Sequence, residues 1–276
     1  MTVDKVPAGD KFLDLSDYGR PVARRLVRAL VDTRITPVQI TLSFTVVGFI
    51  AAVLFAVGGY VNGVVAGILL LVKSTLDAAD GSLARARQRP SRVGRFLDSI
   101  CDYAVNAAVL LGLAVNGGLT IRKAVVAVIA LESATWQCSA FSYYYVHYRN
   151  STGGDTTSQL NESQSEGYPW DNSRVVHILR RLYSILFGWQ DALLGTVDRA
   201  LTPDPASPVY RSKRLLTAIT VLGLGFQLLL IAVLAWCNRV SWVFALFIVG
   251  LNAYWAIFML VRYLLARRAA ARGVAP

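Results

Sequence analysis

Charge is scarce in this chain. Of 276 residues only 16% are Asp, Glu, Lys or Arg, and 55% are hydrophobic. A soluble domain carries about 25% charge, so a pair of soluble domains is excluded. Long apolar runs with few charges point instead to one integral membrane domain. Cysteine is scarce as well. Cys101, Cys138 and Cys237 all lie in apolar stretches without CxxC spacing, which argues against a disulfide framework or a zinc site and leaves them as small hydrophobes. Residues 1–20 lack an apolar core and mix acids with bases, so no secretory signal peptide is evident. No RNA- or DNA-binding motif accompanies the net charge of +11, and nucleic acid is not an expected partner. The bases flank apolar spans, a pattern that suits topology and anionic lipid headgroups.

Six spans are expected, at about 36–58, 61–87, 93–115, 121–148, 213–237 and 241–265. Each is long enough to cross roughly 30 Å of hydrocarbon at about 1.5 Å per residue. Seven Lys/Arg lie in 1–35, five in 85–95, eight in 149–214 and four in 262–276; Arg122, Lys123 and Arg239 fall in the opposite loops. Lys73, within the second span, is read as snorkelling toward the basic side. The positive-inside rule then places both termini on the cytoplasmic face of a cell membrane, probed most directly by the short loops. The expected fold is all-α and polytopic. Residues 1–35 form an N-terminal cytoplasmic segment, and 36–276 form the membrane domain, with an insert at 149–212. Within 1–35, Val22, Leu26, Leu30 and Val31 share one helical face, with Arg24, Arg25 and Arg28 elsewhere, as in a basic amphipathic helix on an anionic membrane. In the insert, 150–172 is polar and loop-like, and apolar residues recur at helical spacing over 174–201, which suggests a second interfacial helix. The sequons at Asn150 and Asn161 are accidental if this segment is cytoplasmic.

Against this oily background four acids crowd together: Asp77, Asp80, Asp98 and Asp102. The first two are three apart and the last two four apart, so on helices each pair shares a face. Measured from the opposite span ends, Asp77, Asp98 and Asp102 lie about 20–26 Å deep. In an antiparallel hairpin all four can meet near the cytoplasmic boundary. Four anions there repel one another and pay for desolvation. Arginine pairing with Arg85 or Arg95 is one relief, although buried pairs rarely repay their desolvation. Cations fit better. Carboxylate oxygens suit Mg²⁺ or Mn²⁺, two divalent ions balance four carboxylates, and paired metals assist in-line displacement at phosphorus. Gly81, Ala84 and Gly94 are small residues interleaved with the acids and leave room for a ligand. Arg85, one turn past Gly81, can hold a phosphate.

The pattern Asp77-x2-Asp80-Gly81-x2-Ala84-Arg85-x8-Gly94-x3-Asp98-x3-Asp102 resembles the signature of the CDP-alcohol phosphotransferase family at all eight positions. The resemblance implies an N-terminal amphipathic helix, six spans and usually a homodimer. It also implies cleavage of the pyrophosphate of a CDP-linked alcohol, transfer of the phosphoryl-alcohol part to a hydroxyl acceptor, and release of CMP. By the same resemblance, Asp77, Asp80, Asp98 and Asp102 hold two divalent ions, Asp102 also acts as base on the acceptor hydroxyl, and Gly81, Ala84, Arg85, Ser91 and Gly94 line the CDP slot. Many members carry Pro-Asn at the start of the first span. Here Val38 follows Pro37, with Thr36 or Gln39 as candidate substitutes.

The leading expectation is therefore a phosphatidyltransferase using CDP-diacylglycerol and a small hydroxyl acceptor. A CDP-choline or CDP-ethanolamine type enzyme with diacylglycerol as acceptor is the alternative within the class. A cation transporter with aspartates along its pathway is the alternative outside it, disfavoured because a pathway needs neither the arginine nor the small residues. Glu132, an intramembrane acid, either orients an acceptor or bonds a neighbouring helix. The stretch Phe141 to Arg149 reads as an interfacial aromatic belt, with an acceptor pocket built from tyrosine, His147 and Arg149 as the sharper alternative.

Overall fold

The computed structural model describes residues 5–155, 157–160, 162, 166–202, 204 and 207–271. Asn161 and the ends of the two expected domains lie outside them. The described chain is all-α. Helix α1 spans Arg20–Leu30, α2 Pro37–Val57, α3 Tyr60–Ala86, α4 Arg92–Val115 and α5 Ile121–Ser151. The insert follows, with α6 at Ser173–Tyr183 and α7 at Trp189–Leu201. The remaining helices are α8 at Lys213–Leu222, α9 at Leu224–Trp236 and α10 at Trp242–Ala271. Five helices (α2 to α5 and α10) are long and apolar enough to cross a membrane, and the count reaches six when α8 and α9 form one span. The protein is thus an integral membrane protein. Its fifth span is not the straight helix the hydropathy suggests: it bends by 49° where Gly223 separates α8 from α9.

Local chemistry fixes the helix ends. Thr36 caps α2 in a reciprocal box, its backbone N–H donating to Gln39 Oε1 at 2.8 Å and its hydroxyl accepting from Gln39 N at 3.2 Å. Both side chains proposed as substitutes for the missing asparagine are used in this cap. Ser91 caps α4 and Thr120 caps α5. Between spans, packing relies on small residues, as expected where lipid is as apolar as leucine. Gly112 abuts the Ala52 carbonyl so closely that no Cβ fits there, and Gly67 lies against Ala232 and the Trp236 indole. Polar side chains bind spans together as well. Gln227 Nε2 donates to Gln137 Oε1 at 3.0 Å, and Gln137 Nε2 donates to Asn252 Oδ1 and to the Phe247 carbonyl, both at 2.9 Å. That carbonyl lies in the π-turn Leu246–Gly250 within α10, where widening of the helix alters the backbone hydrogen-bond pattern.

The amphipathic helix packs on the motif helix. Ala23 and Val27 of α1 are buried with Ala79, Leu83 and Ala86 of α3, with Leu26, Leu30 and Val31 alongside. The buried face is centred one position from the expected one, and Val22 stays exposed. Arg87 locks the arrangement, its guanidinium donating to the carbonyls of Leu30, Val31, Thr33 and Ile35 at 2.6–3.0 Å.

The insert begins later than expected, because α5 runs on to Ser151. Its two helices join through a π-turn at Ser184–Gly188. One face of the pair is buried through Val176, Tyr183, Gln190 and Leu194, while Ile178, Ile185, Trp189 and Leu193 form an exposed apolar stripe. The insert is therefore apolar on two sides. The aromatic run of α5 also turns inward: Tyr144, Tyr145 and Tyr148 are buried, which replaces the interfacial belt. Cys237 is exposed at the end of α9 rather than buried.

Candidate active site

Helices α3 and α4 run antiparallel through the tight turn 87–91 and bring their acids together. Carboxylate oxygens of Asp77, Asp98 and Asp102 all lie within 4.8 Å of one another. Asp80 is buried one turn further along α3 but does not join that group. Its Oδ2 accepts from Thr41 Oγ1 of α2 at 2.5 Å, and its Oδ1 accepts from the Gly81 N–H. Lys73 is the unexpected member. Its ammonium does not reach the interface. It is 1% exposed, donates to Asp77 Oδ2 at 3.3 Å and to Asp102 Oδ1, and lies 4.5 Å over the Phe44 ring. The signal in the sequence was its position four residues before Asp77, on the same helical face.

The donor set suits a hard divalent cation. It consists of carboxylate oxygens, and one of them, Asp98 Oδ1, is buried with no hydrogen-bond partner. Such an orphaned acceptor is costly unless a cation or donor is supplied. These residues are the ones that would hold Mg²⁺ or Mn²⁺.

The acids open onto a cavity of about 720 Å³. All five residues expected in the nucleotide slot, Gly81, Ala84, Arg85, Ser91 and Gly94, line it. Their roles differ in detail. A Cβ on Gly81 would lie 3.3 Å from the Arg85 guanidinium, so the glycine makes room for that side chain. Ser91 Oγ accepts from Gly94 N at 3.1 Å and donates to Asp171 Oδ1 at 2.6 Å, which ties the motif to the insert. Thr36, Pro37, Val38 and Thr41 form the α2 wall, and with Thr36 committed to its cap, Thr41 is the polar α2 side chain bonded to a motif acid.

Much of the remaining wall escaped the sequence reading. The insert contributes Tyr183, Phe187 and Asp191, besides Asp155, Thr157 and Ser158. Burial pushes the Asp191 carboxyl up to about 6, against the pull of Arg95 and a hydrogen bond from Tyr183. The N-terminal segment contributes Lys5, Asp14, Ser16, Asp17 and Arg20. It crosses the mouth as a strap, held by Leu15 N donating to Thr220 Oγ1 at 3.1 Å and Tyr148 Oη donating to the Asp10 carbonyl at 2.7 Å. Gly225 lets the Ser16 carbonyl pass where no Cβ would fit. Lys5 is half-buried, and burial together with the guanidiniums of Arg85, Arg149 and Arg20 pushes its ammonium down to about 8. No periodic pattern marks residues 5–19, so nothing in the sequence announced them as part of the site. Arg149 and Tyr145 line the cavity, as the acceptor-pocket alternative for this stretch expects. His147 instead stacks on Tyr210, centroids 4.8 Å apart. Glu132 accepts from Tyr103 Oη at 3.1 Å, a bond between neighbouring helices.

Residues 34–160 match the CDP-alcohol phosphatidyltransferase family model. That segment, just under half of the chain, is similar to the CDP-alcohol phosphatidyltransferase family. It is 40% identical over 94 residues to an archaetidylinositol phosphate synthase of Pyrococcus horikoshii, covering 34% of this chain and 48% of that protein. It is 37% identical over 108 residues to a bifunctional IPC transferase and DIPP synthase of Aquifex aeolicus, covering 39% and 24%. It is 33% identical over 93 residues to a phosphatidylinositol phosphate synthase of Mycobacteroides abscessus, covering 33% and 41%. The chain thus spans less than half the length of each of these relatives.

Proposed function

We propose that the protein transfers a phosphatidyl group from CDP-diacylglycerol to a hydroxyl of a small acceptor and releases CMP. The observation that carries this reading is the convergence of Asp77, Asp98 and Asp102 on one cavity shared with the family's small residues and Arg85. In the reaction the acceptor oxygen forms a bond to phosphorus, the bond from phosphorus to the CMP oxygen breaks, and the acceptor proton leaves. Asp102 takes that proton as general base. Lys73, bonded to Asp102, orients the carboxylate before substrate arrives. Asp77, Asp80, Asp98 and Asp102 are the residues that would hold two Mg²⁺ or Mn²⁺ ions. Such ions offset charge on the pyrophosphate and on departing CMP. Arg85 pairs with substrate phosphate.

The acceptor is a phosphorylated polyol such as an inositol phosphate. Two of the relatives are named as inositol phosphate lipid synthases, and Lys5, Arg20, Arg85, Arg95 and Arg149 bring positive charge to a cavity wall that also carries the motif acids. The basic termini and loops place the site and both chain ends on the cytoplasmic face of a cell membrane, where CDP and a polar acceptor arrive from water. A homodimer follows from the family resemblance alone.

The test is CMP release by purified protein with Mg²⁺, from CDP-diacylglycerol or CDP-choline, against inositol phosphate, glycerol phosphate, inositol, serine and diacylglycerol. Release with CDP-diacylglycerol and a phosphorylated acceptor is expected, and Asp102→Asn is expected to lose at least about 100-fold. No release in any combination, or full activity in that variant, would sink the reading.

A further inference from the structure

The insert reaches into the membrane domain rather than resting on it. Its backbone is helical without a break from Ser173 to Leu201, through the π-turn at Ser184–Gly188. Its contacts give its depth. Just before its start, Asp171 accepts from Ser91, the cap of α4, at 2.6 Å. Near its far end, Asp198 accepts from Tyr144 of α5 at 2.9 Å. Ser91 and Tyr144 each stand about 35 Å along their helices from the ends remote from the motif turn. The middle lies deeper. The Phe187 ring meets the Tyr103 ring of α4 edge-on, with centroids 5.9 Å apart, and Tyr103 is only about 18 Å from the remote end of α4. Gln190 accepts from Ser139 of α5 at 2.8 Å, and Ser139 is about 27 Å from the remote end of α5. The hydrocarbon is about 30 Å thick. The π-turn therefore lies at the level of the acyl chains, and both ends of the segment lie at the level of the headgroups.

The side turned away from the spans has the composition that this depth requires. Ile178, Leu182, Ile185, Trp189 and Leu193 share an exposed face about 22 Å long, and Ile178 and Ile185 are each 65% exposed. The exposed charged side chains of Ser173–Leu201 are Arg174, Arg181 and Arg199, all basic. Its acids face inward, Asp191 to the cavity and Asp198 to Arg262. A second copy of this chain seated on the stripe would bring arginine against arginine. An anionic leaflet suits both parts: acyl chains cover the stripe, and the arginines extend to the headgroups.

We infer that Ser173–Leu201 is a re-entrant helix seated in the leaflet on the motif side, with its stripe among acyl chains and Arg174, Arg181 and Arg199 on anionic headgroups. Its opposite face carries Tyr183, Phe187 and Asp191 into the cavity, so one helix separates lipid from the site and the leaflet holds that wall in place. The inference concerns a surface and does not rest on the transferase reading; its test needs no turnover.

The test uses the full chain in vesicles of phosphatidylcholine mixed with phosphatidylglycerol. Bimane is attached at Ile185→Cys or His177→Cys in a Cys237→Ser background, and Cys237→Ser alone, treated with the same label, is the blank. His177 is exposed and serves as the water-facing reference. Both labelled proteins are expected to melt at the temperature of the blank. A nitroxide on the acyl chain of phosphatidylcholine is expected to quench the label at 185 at least about twofold more than the label at 177, and iodide in the buffer to do the reverse. Quenching at 185 by iodide and not by lipid would place the stripe in water and overturn the inference. Quenching by neither would mean that a second copy or a partner protein covers the stripe, and would overturn it equally. For the headgroups, the nitroxide carried on phosphatidylglycerol is expected to quench the label at 185 about twofold more than the same nitroxide on phosphatidylcholine, in vesicles of one composition. Arg174→Gln combined with Arg181→Gln is expected to remove that difference. Equal quenching by the two lipids with both arginines present would overturn the assignment of anionic headgroups.

Discussion

The Lys73 ammonium is hydrogen-bonded to the Asp102 carboxylate inside the membrane domain, one turn from Asp77 on its own helix. A lysine among three acids supplies positive charge at the place where a divalent cation would sit. The pair is nearly sealed from solvent on the lysine side, so removing one partner leaves an uncompensated charge.

Lys73→Met is expected to lower stability by about 3–5 kcal/mol without divalent cation, the cost of orphaning a buried charge. Saturating Mg²⁺ is expected to restore much of that loss, because a ligand that binds only the folded state stabilises it. Thermal unfolding with EDTA and with Mg²⁺ checks this. A variant equally destabilised in both conditions would show that the lysine supports the helices rather than the acids.

Thr41→Val keeps the shape of the α2 wall and removes the hydroxyl that donates to Asp80. A loss of about 1–3 kcal/mol is expected from the unsatisfied carboxylate. Thr41→Ser is expected to recover it, and chemical denaturation of the three proteins measures the difference.

Affinity for a phosphorylated acceptor should fall as pH rises through about 8, where Lys5 loses its proton. The stability effect has the opposite sign. The folded-state value lies below the ordinary 10.5 of lysine, so between about 8 and 10.5 the unfolded chain holds a proton that the folded chain lacks, and this group's contribution to stability rises with pH. Calorimetric binding of inositol phosphate from pH 7.5 to 9.5 tests the first statement. Lys5→Arg is expected to flatten the profile, since arginine stays charged throughout.

Arg87→Ala removes donors to four carbonyls at and beyond the end of α1. A loss of about 2 kcal/mol is expected, together with faster amide exchange in Arg20–Leu30. Unchanged exchange there would mean that packing of Ala23 and Val27 alone holds the helix.

How far the sequence carried the structure depended on the range of each signal. The acids, their pairing by helical spacing and the span positions were legible because hydropathy and period are local. The bend at Gly223 was not, since a run of apolar residues reads the same bent or straight. Ser91 was identified by motif, yet its bond to Asp171 spans 80 positions, and no pattern within a window of residues encodes such a tie. The aromatic run of α5 was read as a belt because tyrosine suits an interface. The partner that draws two of these side chains inward, Asp198 on α7, bonds to Tyr143 and Tyr144 and pairs with Arg262 of α10. The N-terminal strap has neither period nor motif, and only its distant partners define it.

That strap also sets an order of events during biosynthesis. Residues 5–19 leave the ribosome well ahead of their partners: Tyr148, Thr220 and Gly225, which hold or make way for them, are made 138 or more residues later. Domains usually fold from the amino end as they emerge. Here residues 5–19 lack their contacts at Thr220 and Gly225 until the bent fifth span is in the bilayer. The mouth of the cavity therefore closes only once α9 is made, and a nascent chain halted before it holds its aspartate hairpin without its full rim.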